Sequence, residues 1–213
     1  MKKLCLLIPV FCLFLIPPAL AQFEKGRITG SIASTIGLGD FGTDIMNLGI
    51  TTEKIKYSNG DVNQTYKTLG FNLLPRVGFF IINNLEIGAD ILVSYHRQKS
   101  SDSNYKDTES MMAVGPYVRY YFPLKKIYPF AEANVDYGFW KEKWSNGSEG
   151  EDKEAILLYG FGIGAAKTLG GNAMINALVG YSSQTWKDTD DDKYIYGTIG
   201  LRVGLTLFFG TSK

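Results

Sequence analysis

Apolar and polar residues alternate with a period of two along most of the chain. Between residues 85 and 97, for example, Ile87, Ile91 and Val93 alternate with Glu86 and Asp90. This period places successive side chains on opposite faces of a strand, so it predicts strands with one apolar and one polar face. Eight segments show the pattern: 26–36, 68–81, 85–97, 110–122, 128–140, 154–167, 173–186 and 194–209.

The connections between these segments alternate in length. Three are short (83–84, 123–127 and 168–172), and four are mostly longer and polar (37–67, 98–109, 141–153 and 187–193). Short turns at one rim and longer loops at the other are typical of a membrane-spanning barrel. The pattern predicts an all-β fold, a closed eight-stranded antiparallel up-and-down barrel, with both termini at the short-turn rim.

Alternation alone does not say which face points outward. In a soluble barrel that binds a ligand, the apolar face would line the cavity. Here the apolar faces carry almost no charge over eight strands, and the opposite faces combine glycines with isolated charges. Aromatic residues gather near the strand ends, as at the borders of a membrane: Phe79, Tyr95, Tyr120, Phe122, Phe139 and Trp186. These features favour a barrel with its apolar face in lipid.

The first 21 residues have the form of a secretory signal peptide. Lys2 and Lys3 precede an apolar run that ends at Ala19-Leu20-Ala21, a small-residue cleavage site. The domain organisation we expect is therefore a cleaved leader, 1–21, and one barrel domain, 22–213. Both cysteines lie in the leader, so the mature chain is expected to have no disulfide and no cysteine-based metal site. Its net charge, 20 basic against 21 acidic residues, implies no nucleic-acid partner.

The chain resembles a known family in the segment 115–123, GPYVRYYFP, and in the aromatic final strand 200–209, GLRVGLTLFF. These features, with the leader and the eight strands, resemble the small outer-membrane β-barrel proteins of the OmpX and OmpA-barrel type. The resemblance implies a cell outer membrane location with periplasmic termini, and insertion by the barrel assembly machinery, which reads the last strand. The chain departs from the family by four residues after Phe209.

The polar faces carry four basic and four acidic residues, which we expect to form a network that fills the barrel: Arg27, Arg76, Glu86, Asp90, Arg119, Glu132, Asp136 and Arg202. Charges in a narrow, poorly hydrated interior need partners. Arg119 with Glu132, and Arg76 with Glu86, flank short turns on adjacent strands and are the pairs we predict.

Three functions remain open from the sequence. We expect a structural or surface-interaction barrel whose exposed loops contact an extracellular protein or glycan. The alternatives are a narrow channel, and an outer-leaflet lipid A-modifying enzyme that uses His96, the only histidine, with Ser94 on the same face. No metal is expected, because the acidic loop 188–192 lacks the glycine and glutamate of an EF-hand. No enzyme activity or cofactor is expected either, since same-face neighbours such as Ser94 and His96 lie about 6.6 Å apart, too far for a direct hydrogen bond. We expect a monomer in outer-membrane lipid.

Overall fold

The computed structural model describes residues 23–37, 49–56, 63–100, 105–124, 127–145, 149–170, 172–187 and 193–210. The expected leader, 1–21, and the acidic loop, 188–192, lie outside the described residues. No helix in the described part of the chain is long and apolar enough to cross a membrane.

Within these ranges, nine antiparallel strands form one sheet: β1 Ile28–Gly37, β2 Gly49–Lys56, β3 Asn63–Ile82, β4 Leu85–Ser100, β5 Lys106–Tyr121, β6 Tyr128–Ser145, β7 Glu149–Gly170, β8 Ala173–Lys187 and β9 Lys193–Phe209. Strand β1 pairs with β9 along one edge and with β3 along the other. This double pairing closes β1 and β3 to β9 into an eight-stranded barrel. The predicted fold is confirmed.

Strand β2 is a correction to the sequence analysis. Segment 37–67 was predicted to be a loop, but it contains β2 and the start of β3, which pair from Gly49 with Gly70 to Lys56 with Asn63. The hairpin continues the sheet beyond the point where β3 leaves β1. The residues of this hairpin lack a continuous apolar face, so a prediction from alternating apolar residues misses these strands. Their backbone hydrogen bonds form as in any antiparallel pair.

Two other predicted loops are also mostly strand. Segments 98–109 and 141–153 extend the β4–β5 and β6–β7 hairpins, with Lys99 opposite Lys106 and Glu142 opposite Asp152. The strands are thus 16 to 22 residues long from β3 to β7, whereas a tilted strand crosses lipid with about 9 to 11 residues. We call the end of the barrel formed by the long β2–β3, β4–β5 and β6–β7 hairpins the hairpin end. It projects well beyond the apolar surface.

The outer face of the barrel is an apolar band, as predicted. Hydrophobic side chains are exposed there on every strand of the ring, including Val77 (64%), Tyr137 (63%) and Ile163 (73%). The inner face is buried. Trp186 does not belong to the outer aromatic residues, contrary to the prediction, because it points inward and packs with Trp140 against interior apolar side chains.

Candidate functional site: the charged interior

All eight residues of the expected network lie on the inner face. Seven of them are at most 6% exposed, and the side chain of Arg202 is 11% exposed. The strand period explains the placement, because each residue alternates with an outward apolar neighbour. Removing this many charges from water is favourable only where they pair with each other.

Glu132 on β6 is the centre of the network. Its Oε2 accepts hydrogen bonds from Nη1 of Arg76 at 2.9 Å and from Nε of Arg119 at 2.6 Å. Its Oε1 accepts one from Nη2 of Arg202 at 2.5 Å. Arg119 lies directly opposite Glu132 in the β5–β6 register. Arg76 and Arg202 reach it from β3 and β9, so one carboxylate joins four strands of the ring.

Arg76 does not pair with Glu86, contrary to the prediction. In the β3–β4 register Arg76 lies opposite Asp90, and its Nη2 donates to Asp90 Oδ2 at 2.6 Å. Glu86 lies opposite Phe80. The pair was wrong because Arg76 lies seven residues before Asn83 and Glu86 only two residues after Asn84, so a hairpin at this turn does not bring them opposite each other. The register shift between Phe80 and Ile82 sets Arg76 opposite Asp90.

Glu86 is held by hydroxyl groups. Its Oε1 accepts hydrogen bonds from Tyr117 Oη at 2.7 Å and from the hydroxyl of Thr29, and its Oε2 accepts one from Tyr121 Oη at 3.3 Å. Tyr121 Oη in turn accepts a hydrogen bond from Nη1 of Arg119. The hydroxyl groups thus connect Glu86 to the arginine network. Sequence reasoning did not assign these tyrosines, although their place on the polar face of β5 was a usable signal.

Gly115 allows two acidic side chains to approach each other. It lies on β5 between Asp90 on β4 and Asp136 on β6. A Cβ atom at this position would stand 2.7 Å from Oδ1 of Asp136 and closer still to the backbone of β6, so no larger residue fits. Asp136 Oδ2 accepts a hydrogen bond from Asn134 Nδ2 at 2.5 Å. The close approach extends the polar layer across β5.

An aromatic floor lies below the charged layer, at the short-turn end. Phe23 precedes β1, is fully buried, and stacks on Tyr121 with ring centroids 4.4 Å apart. It also contacts Phe80, Tyr128 and Phe208. Arg27 belongs to this end, with its guanidinium 5.1 Å from the Phe208 ring centroid and hydrogen-bonded to Asn172. Phe23 thus makes the segment just before β1 part of the packing inside the barrel.

An apolar layer lies above the charged layer, toward the hairpin end. Its buried residues are Ala33, Leu74, Leu92, Met111, Ala113, Ile156 and Leu158. The sequence analysis expected a polar interior throughout and missed this layer. A signal was present, since apolar residues occupy both faces in runs such as Leu73-Leu74 and Met111-Met112.

Acidic residues line the inner wall above the apolar layer. His96, Glu109, Glu142 and Asp152 lie in one register row across β4 to β7. Oxygens of Glu109, Glu142 and Asp107 lie within 4.8 Å of one another. Like charges directly opposite each other destabilise a strand pair, so this rim is costly for the fold.

The electrostatics of this rim follow from its crowding. Burial raises the pKa of the Asp107 carboxyl above its usual range. The pKa of Glu142 is also raised, first by burial and then by repulsion from Asp107, Asp152 and Glu154. Both shifts disfavour the charged forms, so these residues weaken the hairpin end as the pH rises above the usual carboxyl range.

The fold and its interior define a closed β-barrel with an apolar exterior and buried charged residues inside. No protein-family model matches the chain, and a search of curated proteins gives no match either.

Similar solved structures include a major outer membrane protein from Thermus thermophilus, at 10% identity and TM-score 0.45, covering 87% of this chain and 100% of that one. Ail, the attachment invasion locus protein of Yersinia pestis, is 14% identical at TM-score 0.44, with the same coverages. Neisserial surface protein A is 15% identical at TM-score 0.41, covering 86% of this chain and 96% of that one. The fold assignment rests on the chain's own strand pairing.

Proposed function

We propose that the chain, once its leader 1–21 is removed, is an integral outer-membrane barrel with a plugged interior and a structural or surface-interaction role. The observation that carries this proposal is the inversion of the usual pattern: apolar side chains cover the outside while eight charged residues are buried inside. Water would disfavour such an exterior, and lipid favours it.

Three interior layers support the plug. The aromatic floor, the ion-paired layer around Glu132 and the apolar layer succeed one another along the barrel axis. An eight-stranded barrel is narrow enough for side chains to fill. The ion pairs of Glu132 with three arginines, and of Arg76 with Asp90, hold these charges in place, so a permeating ion would have to break several ion pairs at once.

The long hairpins support a surface role. In this proposal they face the outside, both termini face the periplasm, and the final strand through Phe209 serves insertion by the barrel assembly machinery. The hairpins offer contacts to an extracellular protein or glycan. The mature protein acts as a monomer surrounded by outer-membrane lipid, without catalytic activity.

Cysteine labelling tests the location and orientation. Ser145 ends β6 at the hairpin end, and the exposed Asn83 lies in the turn between β3 and β4 at the opposite end. In intact cells, a membrane-impermeant maleimide should label a Ser145→Cys variant and should label Asn83→Cys only after the outer membrane is permeabilised. The reverse pattern would contradict the orientation, and recovery of the protein in the soluble periplasm would contradict the membrane location.

Planar-bilayer recordings test the plug. The purified protein should show no stable, large single-channel conductance, because a permeating ion would have to pass the side chains of all three layers. Reconstituted porin serves as the positive control. A steady open level in the wild-type protein would show that the interior conducts and would favour the channel alternative.

A further inference from the structure

Basic side chains cluster on the outer face just above the apolar band, on β3 to β7. We call this set the basic collar: Lys67, Arg97, Lys99, Lys106, Lys141, Lys143 and Lys153. The strand period places them outward, in contrast to the acidic rim on the inner wall at the same height. The strand period places two described acidic residues on the outer face of this region, Glu149 and Glu151. Glu151 pairs with Lys141 and with Lys143 at 2.9 Å. The collar therefore keeps a large net positive charge.

The strand registers make the collar continuous. Lys67 lies opposite Lys99, and Lys99 lies opposite Lys106. On the adjoining strands, Lys141 lies opposite Lys153. Lysines placed directly opposite each other repel, which destabilises the strand pairs unless an anion lies between them. The sequence keeps this arrangement on three consecutive strands.

The surface changes in order toward the collar. On β6 the exposed apolar residues Val135, Tyr137 and Phe139 are followed, toward the hairpin end, by Lys141 and Lys143. On β4 the same order runs through Ile91 and Tyr95 to Arg97 and Lys99, with Tyr95 stacked on Phe71 at 5.7 Å. An apolar, then aromatic, then basic order matches the order from acyl chains to charged headgroups in a membrane.

We propose that the basic collar binds the phosphate groups of a lipid in the surrounding leaflet, and that in the outer leaflet this lipid is a phosphorylated glycolipid. This inference rests on the membrane location proposed above. Charge complementarity selects the ligand: phosphates would place anions beside Lys67, Lys99 and Lys106, at the height where headgroups begin. A basic partner protein would be repelled.

Native mass spectrometry of the mature protein in detergent micelles tests the collar. The probes are doubly phosphorylated lipid A, the same lipid after dephosphorylation, and inorganic phosphate as a competitor. The wild-type protein should retain the phosphorylated lipid and lose the dephosphorylated one, and raised salt should weaken retention. Equal retention of the two lipids would overturn the proposal, and displacement by millimolar inorganic phosphate would show a site for free phosphate rather than for the lipid.

Matched variants locate the binding site. Lys99→Gln with Lys106→Gln should weaken lipid binding at least about tenfold, since each basic residue contributes to attraction at a lipid surface. Lys99→Arg with Lys106→Arg should restore it. Lys25→Gln with Lys167→Gln removes the same charge at the opposite end of the barrel and should change nothing. Equal losses in the two glutamine variants would overturn the proposal.

The proposed function and the collar can fail separately. Binding in micelles does not depend on orientation, so a reversed cysteine-labelling pattern would leave the phosphate interaction standing and assign it to lipids of the other leaflet. If the protein failed to bind the phosphorylated lipid while the cysteine-labelling pattern was as expected, only the collar proposal would be wrong. Each glutamine variant is checked for the mobility shift between boiled and unboiled samples, which reports a closed barrel.

Discussion

Glu132→Gln is expected to lower the free energy of unfolding by about 3 to 5 kcal/mol, the usual cost of breaking a buried ion pair. The substitution keeps the shape of the side chain and removes its charge. Arg76, Arg119 and Arg202 would then remain around a neutral group. Urea unfolding in lipid vesicles measures the change, since the fluorescence of three tryptophans follows the barrel.

The matched control is Glu151→Gln. Glu151 also contacts two basic side chains, Lys141 and Lys143, but it does so on the exposed outer face. Exposed ion pairs contribute little because water and salt screen them, so this variant should unfold like the wild-type protein. Equal behaviour of the two variants would show that the interior is wet and that the ion pairs do not plug it.

Val135→Arg is expected to destabilise the barrel in lipid by about 2 to 4 kcal/mol, the cost of a basic residue at the middle of a membrane. Val135 lies on the outer face of β6 within the apolar band and is half exposed. In a water-soluble barrel, an exposed valine could become arginine with almost no cost. The same urea titration measures the change, and this variant separates the two environments.

Ser145→Arg is the control for Val135→Arg. Ser145 lies on the outer face of the same strand, opposite Lys106 and Glu149, one basic and one acidic residue. Near the membrane border an added arginine costs about 0 to 1 kcal/mol. If Val135→Arg proved as mild as Ser145→Arg, the apolar band would not lie in the hydrocarbon region, and the membrane proposal would be wrong.

The strands of the ring, and the faces of most of their residues, could be predicted from the sequence alone. Each strand buries one face and exposes the other, so apolar and polar residues alternate with a period of two within the sequence of each strand. Arg119 and Glu132 could be matched because they sit at equal distances from a short turn and the register there is regular. The apolar exterior followed from the absence of charge on one face.

Which charges meet depends on the tertiary structure. Arg76 takes Asp90 as a partner because the register shift between Phe80 and Ile82 sets the two residues opposite each other. Arg76 also pairs with Glu132 on β6, across the interior. The convergence of three arginines on Glu132 joins strands that are distant in sequence, and closure of the ring brings them together. The burial of Phe23 likewise depends on side chains from several strands. Such contacts depend on register and closure. Alternation within a strand excludes a slip by one residue, which would turn every side chain to the other face, but it does not fix the register further and says nothing about closure.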